Sequence, residues 1–184
     1  MDSVTPHTTH DLRRMLSACP PGRNGWRTYE NTALATMRHL FVPPLAEPIP
    51  QARTYSGIDR RDAIFPNRVV DTSTPWGLLR HDLSARLIPI EFKNYERDEI
   101  GKEETNQTAS YLKNDMGRLA IMCCNKLPND SAHRYRNSIF SEYKKIVLFF
   151  TTAHLIEMLD MKDRGDDPAY FVVDSVEKFL IQHE

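Results

Sequence analysis

Glu91-Phe92-Lys93 sets an acid and a base two residues apart, and in an extended chain such residues share a face. Turned toward a buried layer, two ionisable groups are costly; turned toward a cleft, they suit a metal ion and a phosphate. The missing partner is a second carboxylate on another strand, and Asp62 supplies one where the apolar run Ala63-Ile64-Phe65 begins. Asp59 and Asp71 compete with it, and Asp62 is preferred because it opens the strand. Carboxylates from two strands can hold Mg²⁺, a hard cation that prefers oxygen ligands and keeps waters for a substrate's phosphates. The lysine can then position an attacking water or stabilise negative charge developing at phosphorus. Taken alone, an acid and a base on one strand describe an ion pair on a solvated face, so the elements around them carry the argument.

Residues 1–24 are polar, carry Pro20, Pro21 and Gly22 as breakers, and read as a flexible N-terminal arm, leaving 25–184 as a single domain. From Trp26 to Phe41 the apolar residues Trp26, Tyr29, Ala33, Met37, Leu40 and Phe41 recur at helical spacing, and Pro43-Pro44 ends the helix. The Pro-rich stretch to Pro50 reads as a connector. Strands are expected at 62–67 and 87–94, with the polar segment around Pro75, Trp76 and Gly77 between them. In the second strand Ile88, Ile90 and Phe92 point one way, and Pro89, Glu91 and Lys93 the other. Pro89 suits a strand start or an edge strand.

A helix is expected over 98–117, with Ala109, Leu112 and Met116 as its apolar stripe and Gly117 as its stop. Glu103, Gln107 and Tyr111 fall on nearly the opposite face, which argues against a core role for Gln107 and Tyr111. A strand at 119–124, a polar helix at about 130–143, a strand at 146–151 and helices at 154–162 and 170–181 complete the chain. Strands alternating with helices imply an α/β domain with a central mixed β-sheet flanked by helices.

The pattern at Asp62, Glu91 and Lys93 resembles that of the PD-(D/E)XK nuclease superfamily. Gln107-Thr-Ala-Ser-Tyr111 matches the QxxxY element of its RecB-type members and follows the E-x-K strand, as it does there. The order of helix, Asp strand, E-x-K strand, helix and strand also agrees, over roughly residues 25–150. Arg61 stands where the family often has proline. The resemblance implies a restriction-endonuclease-like three-layer fold and a Mg²⁺-dependent deoxyribonuclease, with Mn²⁺ as a substitute. It implies Asp62, Glu91 and, from the first helix, Glu30 as metal ligands, and Asp62, Glu91, Lys93 and Gln107 as catalytic residues. Tyr111, Arg60, Arg61 and Asn94 would then engage the nucleic acid, DNA being the expected substrate. Many members of the fold act as dimers, so a homodimer or a restraining protein partner is expected. The alternative is a catalytically silent nuclease-fold module that binds nucleic acid or a protein. An intact trio at 62, 91 and 93 argues against it.

Composition sets the outer limits. With 184 residues, 40% hydrophobic and 27% charged, the chain has material for one core. A formal net charge of −1 excludes a generally basic, histone-like binder but not a local patch. Charge is segregated: 53–68 and 126–145 are locally basic, and 154–184 carries eight acidic residues against three basic ones. The longest apolar runs, Leu119 to Cys124 and Ile146 to Phe150, are far too short to span a bilayer, so no membrane association is expected. Met1 to Cys19 lacks the pattern of a secretory signal, and a cytoplasmic location is expected. Cys19, Cys123 and Cys124 lack the spacing of a zinc or disulfide framework, and no glycine-rich nucleotide loop occurs.

Overall fold

Unbroken apolar strands are those covered on both faces, and the runs at 119–124 and 146–151 become neighbouring parallel strands in which every residue is buried. The computed structural model describes residues 7–53, 60–113 and 115–183, with Arg60 described by its backbone alone. The elements in chain order begin with helices α1 (Thr9–Ala18) and α2 (Trp26–Phe41), strands β1 (Ile49–Arg53) and β2 (Arg60–Pro66), helix α3 (Pro75–Leu83) and strand β3 (Leu87–Lys93). Helix α4 (Lys102–Ser110), β4 (Leu119–Cys124), α5 (Asp130–Tyr143), β5 (Ile146–Thr151), α6 (Thr152–Asp163) and α7 (Ala169–Gln182) follow.

The five strands lie in sequence order, antiparallel from β1 to β3 and parallel from β3 to β5. Side-chain alternation then divides the core. Ala63, Phe65, Ile88, Ile90, Phe92, Ile121, Cys123, Leu148 and Phe150 pack with residues of α1, α2, α3, α6 and α7. Met122, Cys124, Val147 and Phe149 pack with Ala109 of α4 and with Ala132 and Ile139 of α5. The result is a three-layer α/β arrangement around a mixed sheet. Among the described residues, no helix is long and apolar enough to cross a membrane.

Four elements differ from the sequence expectations. The segment read as a loose arm contains α1, started by a Thr8–Asp11 capping box and fixed by Leu12 and Leu16, which are buried at i,i+4 spacing. Arg13 adds a clamp to Asp160 and Asp163 of α6. The Pro-rich connector ends in β1, where Pro50 is tolerated because the strand lies at a sheet edge. Pro89 lies near the start of β3, as expected, although β3 is a central strand: it pairs with Ile64 of β2, while β3 pairs β4 only from Ile90 onward. The segment around Trp76 is helix α3, opened by the Thr74 N-cap with Pro75 in the first turn. Helix α4 stops at Ser110 rather than at Gly117, and Leu112 and Met116 reach the core from the turns that follow.

Gly77 in α3 tests the tightness of this packing. A Cβ there would lie 1.8 Å from the carbonyl oxygen of Asp71, a backbone atom that cannot swing aside. Gly77→Ala is expected to destabilise the fold by about 3 kcal/mol through overpacking, read as a lower urea midpoint at unchanged slope. An unchanged midpoint would show that the Asp71 turn can move.

Candidate active site

The strand register builds the site. Ala63 of β2 pairs with Ile90 of β3, so one residue further along Asp62 comes opposite Glu91. Directly opposed residues of an antiparallel pair share a face. The Asp62 carboxylate is held there by the Phe92 N–H, which donates to Oδ2 at 2.9 Å. The Asp62 side chain thus reaches across to β3, on the sheet face that Glu91 shares.

Glu91 is 4% exposed, and burial pushes its carboxyl above the ordinary range, opposed by Lys93 and reinforced by the neighbouring charge of Asp62. Its Oε1 accepts from Lys93 Nζ at 2.8 Å, whereas its buried Oε2 has no hydrogen-bond partner. Lys93 Nζ also donates to Gln107 Oε1 at 2.9 Å. Gln107 Nε2 in turn donates to the Tyr111 hydroxyl at 2.9 Å. An ammonium has three donors, and the bonds to Glu91 and Gln107 use two of them.

Helix α4 positions this chain of bonds. Glu104 closes its first turn by accepting the Gly101 N–H, and the same side chain accepts from the Tyr95 hydroxyl at 3.0 Å. One turn later Gln107 faces Lys93, and Tyr111 caps the helix. Tyr111 is buried, contrary to the expectation from the helical wheel, because α4 ends before it and the chain turns inward. Burial, with Glu91 nearby, raises its phenol well above the ordinary value. The guanidinium of Arg61 stacks on its ring, 5.5 Å from the centroid.

The other sequence-predicted residues are placed differently. Glu30 of α2 accepts from the side chain of Gln51 in β1. Gln51, with a positive φ of 53°, was not anticipated, and nothing in the Pro-rich connector singles it out. Asn94 is buried, and its amide nitrogen donates to the carbonyls of Pro20 and Gly22, at 3.0 and 3.4 Å. Those bonds tie it to the segment before α2. Arg60 opens β2, but its side chain lies outside the described residues. Among the described residues, no three His, Cys, Asp or Glu side chains gather as a metal-holding group. The central constellation is thus Asp62, Glu91, Lys93, Gln107 and Tyr111, with Arg61 against the last. Comparisons with protein-family models, curated proteins and solved structures match nothing to this chain.

Proposed function

We propose that this chain is a divalent-metal-dependent nuclease with a restriction-endonuclease-like fold, hydrolysing phosphodiester bonds of DNA. The observation that carries the reading is Lys93, held between Glu91 and Gln107 beside a second-strand carboxylate, Asp62. A surface ion pair needs no such bracing.

The donors fit Mg²⁺. They are carboxylate oxygens, one of which, Glu91 Oε2, is buried without a partner, and Mg²⁺ is held by one or two carboxylates and its own waters. Asp62 and Glu91 would hold the ion, and Glu30 contacts Gln51 of the neighbouring strand β1. When bound, it supplies positive charge against the phosphate oxygens. Lys93, held by its bonds to Glu91 and Gln107, would donate to an attacking water or a nonbridging oxygen. Gln107 fixes the ammonium in that direction. Tyr111 and Arg61 brace Gln107 from behind. Water attacks phosphorus in line and the ester oxygen leaves, a reaction governed by positioning and charge rather than by a protein nucleophile.

Plasmid, linear duplex, single-stranded DNA and RNA, each incubated in Mg²⁺, Mn²⁺ or EDTA, test the proposal. DNA cleavage is expected with either metal, none in EDTA, and a loss of about 10²- to 10³-fold in Asp62→Ala. Binding of DNA by a folded wild-type protein that cuts no substrate would overturn the enzyme reading in favour of a binding module. Cleavage that persists in Asp62→Ala would expose a contaminant.

A further inference from the structure

A second site lies across the sheet from this one, at β5. A groove of about 490 Å³ is lined by Leu148, Phe149 and Phe150 of β5, with His133 and Arg136 of α5 on one side and Phe179 of α7 on another. That volume is in the range of small-ligand pockets. Two contacts bring the flanking helices together: Phe140 of α5 meets Phe179 edge-on at 5.3 Å, and Ser141 lies 3.3 Å from the His183 ring nitrogen.

Arg136 is the unusual group here. Its guanidinium is stacked between two rings, 4.7 Å from the centroid of Phe149 and 4.8 Å from that of Phe179. Its Nε is buried without a hydrogen-bond partner, and no carboxylate pairs with it among the described residues. Its one polar contact is a 3.4 Å approach of Nη2 to His133 Nδ1. A partly buried guanidinium ordinarily sits against a carboxylate, since an unpaired charge removed from water is costly. Burial lowers the pKa of Arg136 to about 10, which records that cost. The acidic residues of the groove, Glu157 and Asp174, are exposed at its rim.

We propose that this groove binds a small organic carboxylate with an aromatic or branched apolar body. The Arg136 guanidinium, which no carboxylate pairs among the described residues, matches the two oxygens of a planar carboxylate, and the Phe149, Phe171 and Phe179 rings match the apolar body. The ligand's charge replaces the missing counter-ion at Arg136. The site shares no residue with the Asp62–Glu91–Lys93 constellation, so the inference stands apart from the nuclease proposal.

Titration of the ¹⁵N-labelled full chain with phenylacetate and 3-phenylpropionate tests it, with benzyl alcohol as neutral control and phenyl phosphate as competing anion. Saturable shifts are expected at His133, Arg136, Phe149 and Phe179 with the carboxylates. Arg136→Lys keeps the charge but loses the fork and is expected to raise Kd about tenfold; Arg136→Gln, where folded, should raise it further. Absence of saturation with both carboxylates at millimolar concentration overturns the proposal. So does an unchanged Kd in Arg136→Lys, or equal shifts with benzyl alcohol. Tighter binding of phenyl phosphate than of either carboxylate overturns the carboxylate assignment.

Discussion

Lys93→Met is expected to lower DNA cleavage about 10²- to 10³-fold, the range for removing one donor aimed at transition-state charge. The variant also leaves the buried Glu91 carboxylate without its cation. Breaking a buried pair from one side costs about 3 kcal/mol, so lost activity could be mistaken for lost fold. The double variant Glu91→Gln, Lys93→Met separates the two, because it removes both charges at once. It is expected to recover most of the stability and none of the activity. The pH dependence carries the same signature. Glu91 has its carboxyl raised in the folded state, so the folded chain holds a proton that the unfolded chain has released over the window above the ordinary glutamate range. Stability from this group therefore falls as pH rises through that window, and the double variant should gain on the wild type toward neutral pH. Urea midpoints for the three proteins at acidic and neutral pH check this. A double variant that cuts DNA at the wild-type rate would remove Lys93 from the chemistry.

Trp76→Ala should lower stability by about 3 to 5 kcal/mol. The indole is 1% exposed, meets Phe41 of α2 edge-on at 5.0 Å, and sits in the principal core. Its backbone carbonyl also accepts from the buried Asn67 amide at 2.8 Å, so the residue ties α3 to the end of β2. Against a total of roughly 5 to 15 kcal/mol, that loss brings the fold near its limit. Trp76→Phe keeps an aromatic edge for Phe41 and deletes an indole N–H that has no partner, and should recover most of the loss. Thermal denaturation of the two variants side by side gives the comparison, and equal melting temperatures would contradict the packing role.

The elements that bury a long periodic stripe were legible. Helix α2 has the bounds of the Trp26–Phe41 pattern and buries all of its stripe but Trp26, and the apolar runs of β4 and β5 admitted little but buried strands. Elements held by a few contacts were not. Helix α1 offers only Leu12 and Leu16 to the core, too few for a periodic signal, and takes its place from a clamp to residues about 150 positions away. Helix α3 carries its signal in Thr74 and Pro75 at its start, but the stretch around Gly77 read only as a polar segment between two strands.

The site shows the same division. Glu91 and Lys93 share a face because period two is a property of any strand, and Asp62 joins them through a register that the apolar pattern sets. The placement of Tyr111 was not legible, since the wheel assumes a helix that continues and α4 stops one residue short. The role of Asn94 was hidden for a different reason. Its partners are main-chain carbonyls, which every residue carries, so no side-chain pattern marks them.

Pro50 and the kinked backbone at Gln51 have a consequence for assembly. A sheet margin offers a ladder of backbone groups to any passing chain, and a flat, apolar margin invites polymerisation. Here β1 forms one margin, lacks an amide hydrogen at Pro50 and leaves extended geometry at the next residue. Two adjacent residues thus break the regularity of the ladder that β1 could offer to a second copy.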